Sequence, residues 1–167
     1  NTLYPTVGNE GIYSGQKEVF KDIGPLKSYY SWTWGDAQFI VLDPYWYTKP
    51  KPDSLHGWYW SLGKAQYDWL KQTLEQSKSK FKYVFSHQIV GGDPQGRGGT
   101  EYADFYEWGG KNADGSYAFD QKRPGWINPI HQLLVNNKVT AVFHGHDHVF
   151  VRQMLDGVLY QEVPQPS

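Results

Sequence analysis

The segment 143–148, Phe-His-Gly-His-Asp-His, has the residue types and the spacing to bind metal ions. It places three of the chain's six histidines, His144, His146 and His148, within five residues. Histidines two positions apart reach ions on one side of a loop when the backbone between them turns freely, and Gly145 is expected to supply that freedom. A single histidine is more often an ordinary surface residue, but three together favour a metal site.

Two other polar residues occupy comparable places in the sequence. Asn9 follows the short apolar run 3–7, and His87 follows the predicted buried strand 81–86. The histidine cluster itself follows the predicted buried strand 139–143. Ligands of open α/β sheets bind beyond the carboxyl ends of the strands. If these strands are parallel, the three loops meet, and the sequence predicts one shared site.

The predicted helices and strands that position these residues alternate along the chain in a mixed α/β order. Tyr67, Leu70 and Leu74 recur at helical spacing, which predicts an amphipathic helix over 63–77. A second helix is predicted after Asn128 as its cap, with Pro129 as its first residue. Hairpins are predicted at two places, 27–34 with 38–42 around Gly35-Asp36, and 149–155 with 158–163 around Asp156-Gly157. Alternating helices and buried strands indicate an α/β layer structure.

The segment 91–127 is rich in glycine and aromatic residues, so we expect an ordered excursion rather than a linker. Within it, Arg97 in Gly96-Arg97-Gly98-Gly99 is the best candidate for binding a substrate anion, because a guanidinium grips phosphate with two hydrogen bonds. A solvated loop arginine is the alternative interpretation.

Composition narrows the possible functions. The 167 residues suit one domain over 1–167, and a net charge of −1 argues against a basic surface for nucleic acid. No apolar run is long enough to span a membrane. The absence of cysteine excludes thiolate sites, so any metal must be held by His, Asp, Asn or Glu, a set that suits zinc, manganese or iron.

The order of Gly8-Asn9, His87 after a buried strand, and Gly145-His146-Asp147-His148 resembles the C-terminal half of the calcineurin-like metallophosphoesterases, which include the purple acid phosphatases. The segment 66–70 also resembles the helix that precedes the second of these motifs in that family. The resemblance runs from about residue 3 to about residue 163. The three elements together are fairly specific, whereas Gly-His-x-His alone is only moderately so.

The resemblance implies an α/β/β/α sandwich with a binuclear centre of divalent or trivalent ions, such as Fe, Mn or Zn. A metal-bound hydroxide attacks a phosphate ester there, between ions about 3.5–4 Å apart. Carried over by position, Asn9, His87 and His146 are ligands of one ion, and His148 is a ligand of the other. His146 and His148 are thereby the expected catalytic residues, and the partner is a small phosphate ester.

This chain departs from the family pattern at its beginning. The upstream motifs Asp-x-His and Gly-Asp-x-x-Asp are absent, and Gly8-Asn9-Glu10-Gly11 stands where the family has Gly-Asn-His-Glu. The chain is therefore expected to be a partial catalytic domain that lacks its N-terminal strands, with the missing part as a partner. The alternative is a truncated or degenerate domain that binds metal or a partner without turnover. The aromatic-rich, cysteine-free composition, together with the frequent export of the family that the chain resembles, favours a secreted or periplasmic protein.

The remaining candidates have ordinary structural interpretations. His144 is expected to end its strand or to support a ligand rather than bind metal, and Asp147 to face away from the ions and hold the loop. Asp43, before Pro44, is a turn residue. His56 and His131 are expected to be surface or core residues. A metallo-β-lactamase site is disfavoured, because its His-x-His-x-Asp-His spacing and early position do not fit this cluster.

Overall fold

In the computed structural model of this chain, the described residues are 4–5, 28–48, 57–90 and 98–165. The strands are β1 (Tyr4–Pro5), β2 (Tyr30–Trp34), β3 (Ala37–Val41), β4 (Trp46–Tyr47), β5 (Trp60–Ser61), β6 (Phe81–Phe85), β7 (Ala141–His144), β8 (Val151–Leu155) and β9 (Val158–Glu162). The helices are α1 (Lys64–Gln76), α2 (Tyr106–Gly109), α3 (Phe119–Lys122) and α4 (Ile130–Asn136), with a 3-10 helix at Gly57–Tyr59. The predicted mixed α/β class is confirmed.

Six of the strands form one sheet in the order β2-β3-β6-β7-β9-β8. The four inner strands run parallel to one another, and β2 and β8 join the two edges antiparallel. The two-residue strands β1, β4 and β5 form a small separate sheet. Because β3, β6 and β7 are parallel, their carboxyl ends lie at one edge, which is the arrangement that brings the loops after β6 and β7 together.

Both predicted hairpins are confirmed, and their turns explain the chain reversals. Gly35 has a φ of 58° between β2 and β3. Asp156 and Gly157, between β8 and β9, have φ values of 48° and 82°. Positive φ at both central residues is the pattern of a type I′ turn, whose twist matches that of the flanking strands.

Helix α1 confirms the predicted amphipathic helix, because Tyr67, Leu70 and Leu74, which recur at helical spacing, are all buried. Gln66 connects this helix to the loop after β3. Its side-chain oxygen accepts the backbone N–H of Asp43 at 2.8 Å, and its amide nitrogen donates to the Asp43 carbonyl at 2.9 Å. The end of β3 is thus fixed relative to the helix. None of the described helices is long and apolar enough to cross a membrane.

The start of helix α4 corrects a sequence prediction. The helix begins at Ile130, after Pro129, and no side chain caps it, so Asn128 is not its cap. Asn128 instead makes a tertiary contact. Its carbonyl accepts the hydroxyl of Tyr67 at 2.8 Å, and its N–H donates to the same oxygen at 3.1 Å. The hydroxyl of Tyr67 on α1 thus contacts the backbone just before α4.

The core lies between one face of the sheet and the helices. Ile40, Val84, Val142 and Tyr160 are neighbours in register on β3, β6, β7 and β9, and all four are fully buried. Helices α1 and α4 and the indole of Trp108 complete the same cluster. Burial of an aliphatic side chain of this kind stabilises the fold by about 1.5–3 kcal/mol.

The opposite face of the sheet is aromatic and only partly covered. Trp32 and Phe39 stack with ring centroids 5.0 Å apart, and Phe85 and Phe143 stack at 5.1 Å. Trp32 is 45% exposed. The described residues include no second sheet of similar size on this face.

Residues 98–127 of the excursion are among those described, and a buried ion pair attaches them to the rest of the molecule. Arg123 Nε donates to the carboxylate of Glu107, and both side chains are almost completely buried. The same carboxylate accepts the hydroxyl of Ser61 at 2.7 Å and the N–H of Leu62 at 2.6 Å. The guanidinium also donates to the Trp58 carbonyl at 2.8 Å. These contacts fix the excursion to the segment that precedes α1.

Candidate functional site

The candidate site lies where β3, β6 and β7 end. Backbone hydrogen bonds hold the three chain ends together: Leu42 N–H donates to the Phe85 carbonyl at 2.8 Å, and Ser86 N–H donates to the Phe143 carbonyl at 3.0 Å. Gly145 N–H then donates to the His87 carbonyl at 2.9 Å. The parallel ladder thus continues past the strands into the loops that carry the histidines.

This arrangement brings His87 and His146 into contact. His87 Nε2 lies 2.9 Å from His146 Nδ1, and the two rings are nearly perpendicular, at 81°. His87 is exposed, His146 is half-buried, and the ring of Tyr45 packs 5.6 Å from that of His87. Two of the predicted ligands, 59 positions apart, therefore meet at the predicted edge of the sheet.

The separation of these nitrogens is slightly shorter than that of two ligands of one metal ion. Nitrogens that each lie about 2.0–2.1 Å from zinc are about 3.3 Å apart in a tetrahedral site. The observed 2.9 Å fits an N–H···N hydrogen bond between neutral rings. Imidazole nitrogen suits zinc and iron, so the chemistry of this pair matches the expected metals.

The electrostatics of His87 favour the form of the ring that binds metal. Although the side chain is exposed, its ring is partly desolvated, which lowers its pKa, and the charges of His146 and His148 lower it further. A lowered pKa keeps the imidazole neutral at pH 7. A neutral ring has the free lone pair that a metal ion requires.

The backbone of the histidine loop, residues 145–148, is strained at the histidines themselves. His146 has a φ of 88° and His148 a φ of 61°, whereas Gly145 is not in the left-handed region. The expectation that Gly145 supplies the turn is therefore wrong. A residue other than glycine held in this conformation costs on the order of 1–3 kcal/mol, and such strain collects at functional sites.

His148 and His144 differ in their exposure to solvent. His148 is exposed to solvent. His144 is 3% exposed, its ring packs edge-on against Tyr160, and neither ring nitrogen has a hydrogen-bond partner among the described residues. Burial lowers the pKa of His144, against the opposing charge of Asp147. It is a strand-end residue beneath the loop, as its position in the sequence predicts.

Asp147 connects the histidine loop to two other segments. Its Oδ2 accepts the N–H of Gly98 at 2.9 Å, which attaches the start of the excursion to the loop. Its own N–H donates to Oε1 of Glu162, the last residue of β9, at 3.1 Å. Sequence reasoning assigned Asp147 a loop-holding role but missed Glu162. The available signal was a carboxylate at the end of an otherwise buried strand.

The carboxylates around this loop influence one another. Burial raises the pKa of Glu162, and the negative charges of Asp147 and Glu101 add to that effect. Glu101 lies near Gly99, whose N–H it accepts at 3.0 Å, and it also accepts the amide of Gln153 at 3.3 Å. A concentration of negative charge therefore lies beside the histidines.

The other candidates separate into two groups. Asn9, Arg97 and His56 lie outside the described residues. Asp43 accepts the N–H of Tyr45 at 3.0 Å, which is the predicted turn contact. His131 lies in the core, where its ring nitrogens contact the Tyr160 hydroxyl at 2.8 Å and Asp156 at 3.0 Å.

The described ranges bring together a pair of ligands rather than a full ligand set. Within them, no group of three or more His, Asp or Glu side chains is placed to hold one ion. His148 is close in sequence to His146, but the two do not form such a group with His87 in the arrangement seen here.

Comparison with known protein families and with curated proteins finds no match for this chain. Among solved structures, it is similar to the purple acid phosphatase PPD1 from yellow lupin (Lupinus luteus) seeds, with 16% identity, a TM-score of 0.45, and coverage of 83% of this chain and 23% of that one. It is also similar to GAP50, the anchor in the inner membrane complex of Plasmodium, with 15% identity, a TM-score of 0.42, and coverage of 81% and 36%. The chain spans only a part of either structure.

Proposed function

We propose that this chain is a metallophosphoesterase-type domain that binds metal ions and hydrolyses phosphate esters. The observation that carries the proposal is the 2.9 Å approach of His87 Nε2 and His146 Nδ1 at the carboxyl edge of a parallel sheet. Such edges are where α/β proteins bind ligands. The resemblance of Gly8-Asn9, His87 and the segment 145–148 to the metallophosphoesterases supports the same conclusion.

In this proposal His87 and His146 hold one ion together with Asn9, and His148 holds a second. The ions, when bound, supply positive charge to the phosphate oxygens and an activated water at neutral pH. His87 contributes a ring kept neutral by its lowered pKa. His148 is exposed, so its imidazole is accessible to an ion at the solvent side of the loop.

Arg97 is the proposed phosphate-binding residue. It precedes Gly98, whose N–H donates to Asp147 in the histidine loop, so the glycine-rich segment contacts the candidate site at residue 98. A guanidinium offers paired donors to phosphate oxygens. The substrate is a small phosphate ester, either a monoester or a diester.

The alternative is a domain that binds metal or a partner without turnover. One observation favours it: the described residues assemble two ligands and no group of three or more. A catalytic binuclear site requires additional ligands from elsewhere. The two functions differ in turnover with saturating metal, which only the first predicts.

The test combines calorimetry and an assay on chelator-treated protein. Zn²⁺ and Mn²⁺ are titrated separately, and hydrolysis of an aryl phosphate monoester and diester is followed with each metal at saturation. Binding with turnover supports the enzyme, and binding without turnover supports the alternative. Absence of binding for both metals, in protein shown to be folded, contradicts the enzyme and leaves only a domain that binds a partner.

A further inference from the structure

We infer that Glu162 is a positioning residue, which holds the backbone of the histidine loop in its metal-binding conformation. The inference rests on the proposed function. Glu162 ends β9, is 3% exposed, and pairs in register with His144 on the neighbouring parallel strand β7. Its carboxylate therefore lies directly beneath the point where the histidine loop leaves the sheet.

The contact that matters is between this carboxylate and the middle of the loop. Glu162 Oε1 accepts the N–H of Asp147 at 3.1 Å. Asp147 separates His146 and His148, which have φ values of 88° and 61°. Residues other than glycine leave this region readily unless their surroundings hold them in it. Fixing the amide between the two histidines constrains the backbone on both sides of it.

A second attachment acts on the same residue. Asp147 Oδ2 accepts the Gly98 N–H at 2.9 Å, so Asp147 is held at its backbone by β9 and at its side chain by the excursion. The excursion is fixed near this point by the Thr100 N–H, which donates to Gln153 on β8 at 3.2 Å. The β8–β9 hairpin thus supports the loop through both Glu162 and Gln153.

Burying a carboxylate beside Asp147 and Glu101 is energetically unfavourable, because like charges repel and burial removes the water that solvates the charge. The position therefore has the properties of an acceptor for Asp147 rather than of a packing residue.

Three variants of Glu162 separate these roles. Glu162→Gln keeps an acceptor oxygen at the same reach, Glu162→Asp withdraws the carboxylate by one methylene, and Glu162→Ala removes it. Arg152→Ala, an exposed position on β8 in the same hairpin, is the matched control. Zinc affinity is measured by calorimetry at a temperature where circular dichroism shows every variant folded.

We expect Glu162→Asp and Glu162→Ala to weaken zinc binding by about 10–100-fold, the usual effect of losing a residue that orients a ligand. Glu162→Gln and Arg152→Ala are expected to bind zinc within about threefold of the parent, because the Asp147 N–H keeps its acceptor. Parent-like affinity in Glu162→Asp overturns the inference, even if Glu162→Ala does not fold.

A second measurement needs no metal. Amide hydrogen exchange of Asp147 in the metal-free protein is expected to be faster in Glu162→Asp than in the parent and unchanged in Glu162→Gln. Unchanged exchange in Glu162→Asp overturns the inference. If the parent binds no zinc, the proposed function fails, and the exchange result alone decides the role of Glu162.

Discussion

His87 Nε2 and His146 Nδ1 lie 2.9 Å apart although 59 positions separate the two residues in the chain. The parallel pairing of β6 and β7 brings them together, since Tyr83, Val84 and Phe85 are aligned with 141–143. Each histidine follows its strand by only a few residues. The contact between the two imidazoles is thus a direct result of the register between β6 and β7.

Replacement of His146 by alanine should remove metal-dependent hydrolysis while the fold remains. His146 is half-buried and outside the main core, so little packing is lost. We expect a loss of zinc affinity larger than the roughly 10–100-fold effect typical of a supporting residue. Calorimetry and an aryl phosphate assay measure it, with Gln132→Ala on the exposed face of α4 as the control. Full activity of His146→Ala would remove this residue from the site.

Zinc affinity in a double-mutant cycle should show that His87 and His146 act on one ion. If both bind the same ion, loss of either one removes the site, and His87→Ala/His146→Ala is expected to bind no worse than the weaker single variant. The losses of binding free energy do not add for residues that act together, whereas they do add for independent sites. Additive losses in the cycle would indicate two separate ions.

The buried pair of Glu107 and Arg123 should be essential for stability. Arg123→Met leaves the Glu107 carboxylate buried without its counter-charge, and breaking such a pair costs about 3–5 kcal/mol. The exposed pair of Lys111 and Asp104 provides the control, because Lys111→Met should cost at most about 1 kcal/mol. Urea denaturation gives both values, and equal effects would refute the assigned role of the buried pair.

The hydroxyl of Tyr160 should contribute to stability but not to metal binding. It accepts the indole N–H of Trp108 at 2.9 Å and contacts His131 Nδ1 at 2.8 Å. Tyr160→Phe leaves both groups buried without this partner, at about 1–3 kcal/mol for each unsatisfied group. Zinc affinity is expected to be unchanged, because the ring still packs against His144.

Tyr83→Phe is the matched control for that prediction. Tyr83 lies on the partly covered face of the sheet, and its hydroxyl makes no hydrogen bond to another described residue. Its loss should change the free energy of unfolding by less than about 0.5 kcal/mol. A drop in zinc affinity for Tyr160→Phe, with Tyr83→Phe unaffected, would place Tyr160 in the metal site.

Much of the fold could be predicted because local patterns determine it. The helical spacing of Tyr67, Leu70 and Leu74 and the Asp156-Gly157 turn are signals that neighbouring residues carry alone. The start of α4 could not be predicted in the same way. The backbone of Asn128 contacts the hydroxyl of Tyr67, 61 positions away, and no side chain caps the helix, which begins after Pro129.

The candidate site, like the fold, could be predicted from the sequence only in part. The ends of apolar strands predicted where His87 and His146 lie, because parallel strands place their carboxyl ends together. The positive φ values at His146 and His148 were not predictable, since the sequence carries no local signal for them and the loop is attached to Glu162, 15 positions from Asp147. The sequence predicts the turn at Gly145, the residue with the greatest freedom, whereas the positive φ values lie at the histidines.

The most direct test of the central claim is long-range ¹⁵N NMR of the imidazole nitrogens during titration with zinc. We predict that His87 Nε2 and His146 Nδ1 move together toward metal-bound chemical shifts with the first equivalent, while His131, in the core, does not change. A titration in which these two nitrogens keep their metal-free shifts at saturating zinc, or in which only one of them moves, would contradict the claim that they share an ion.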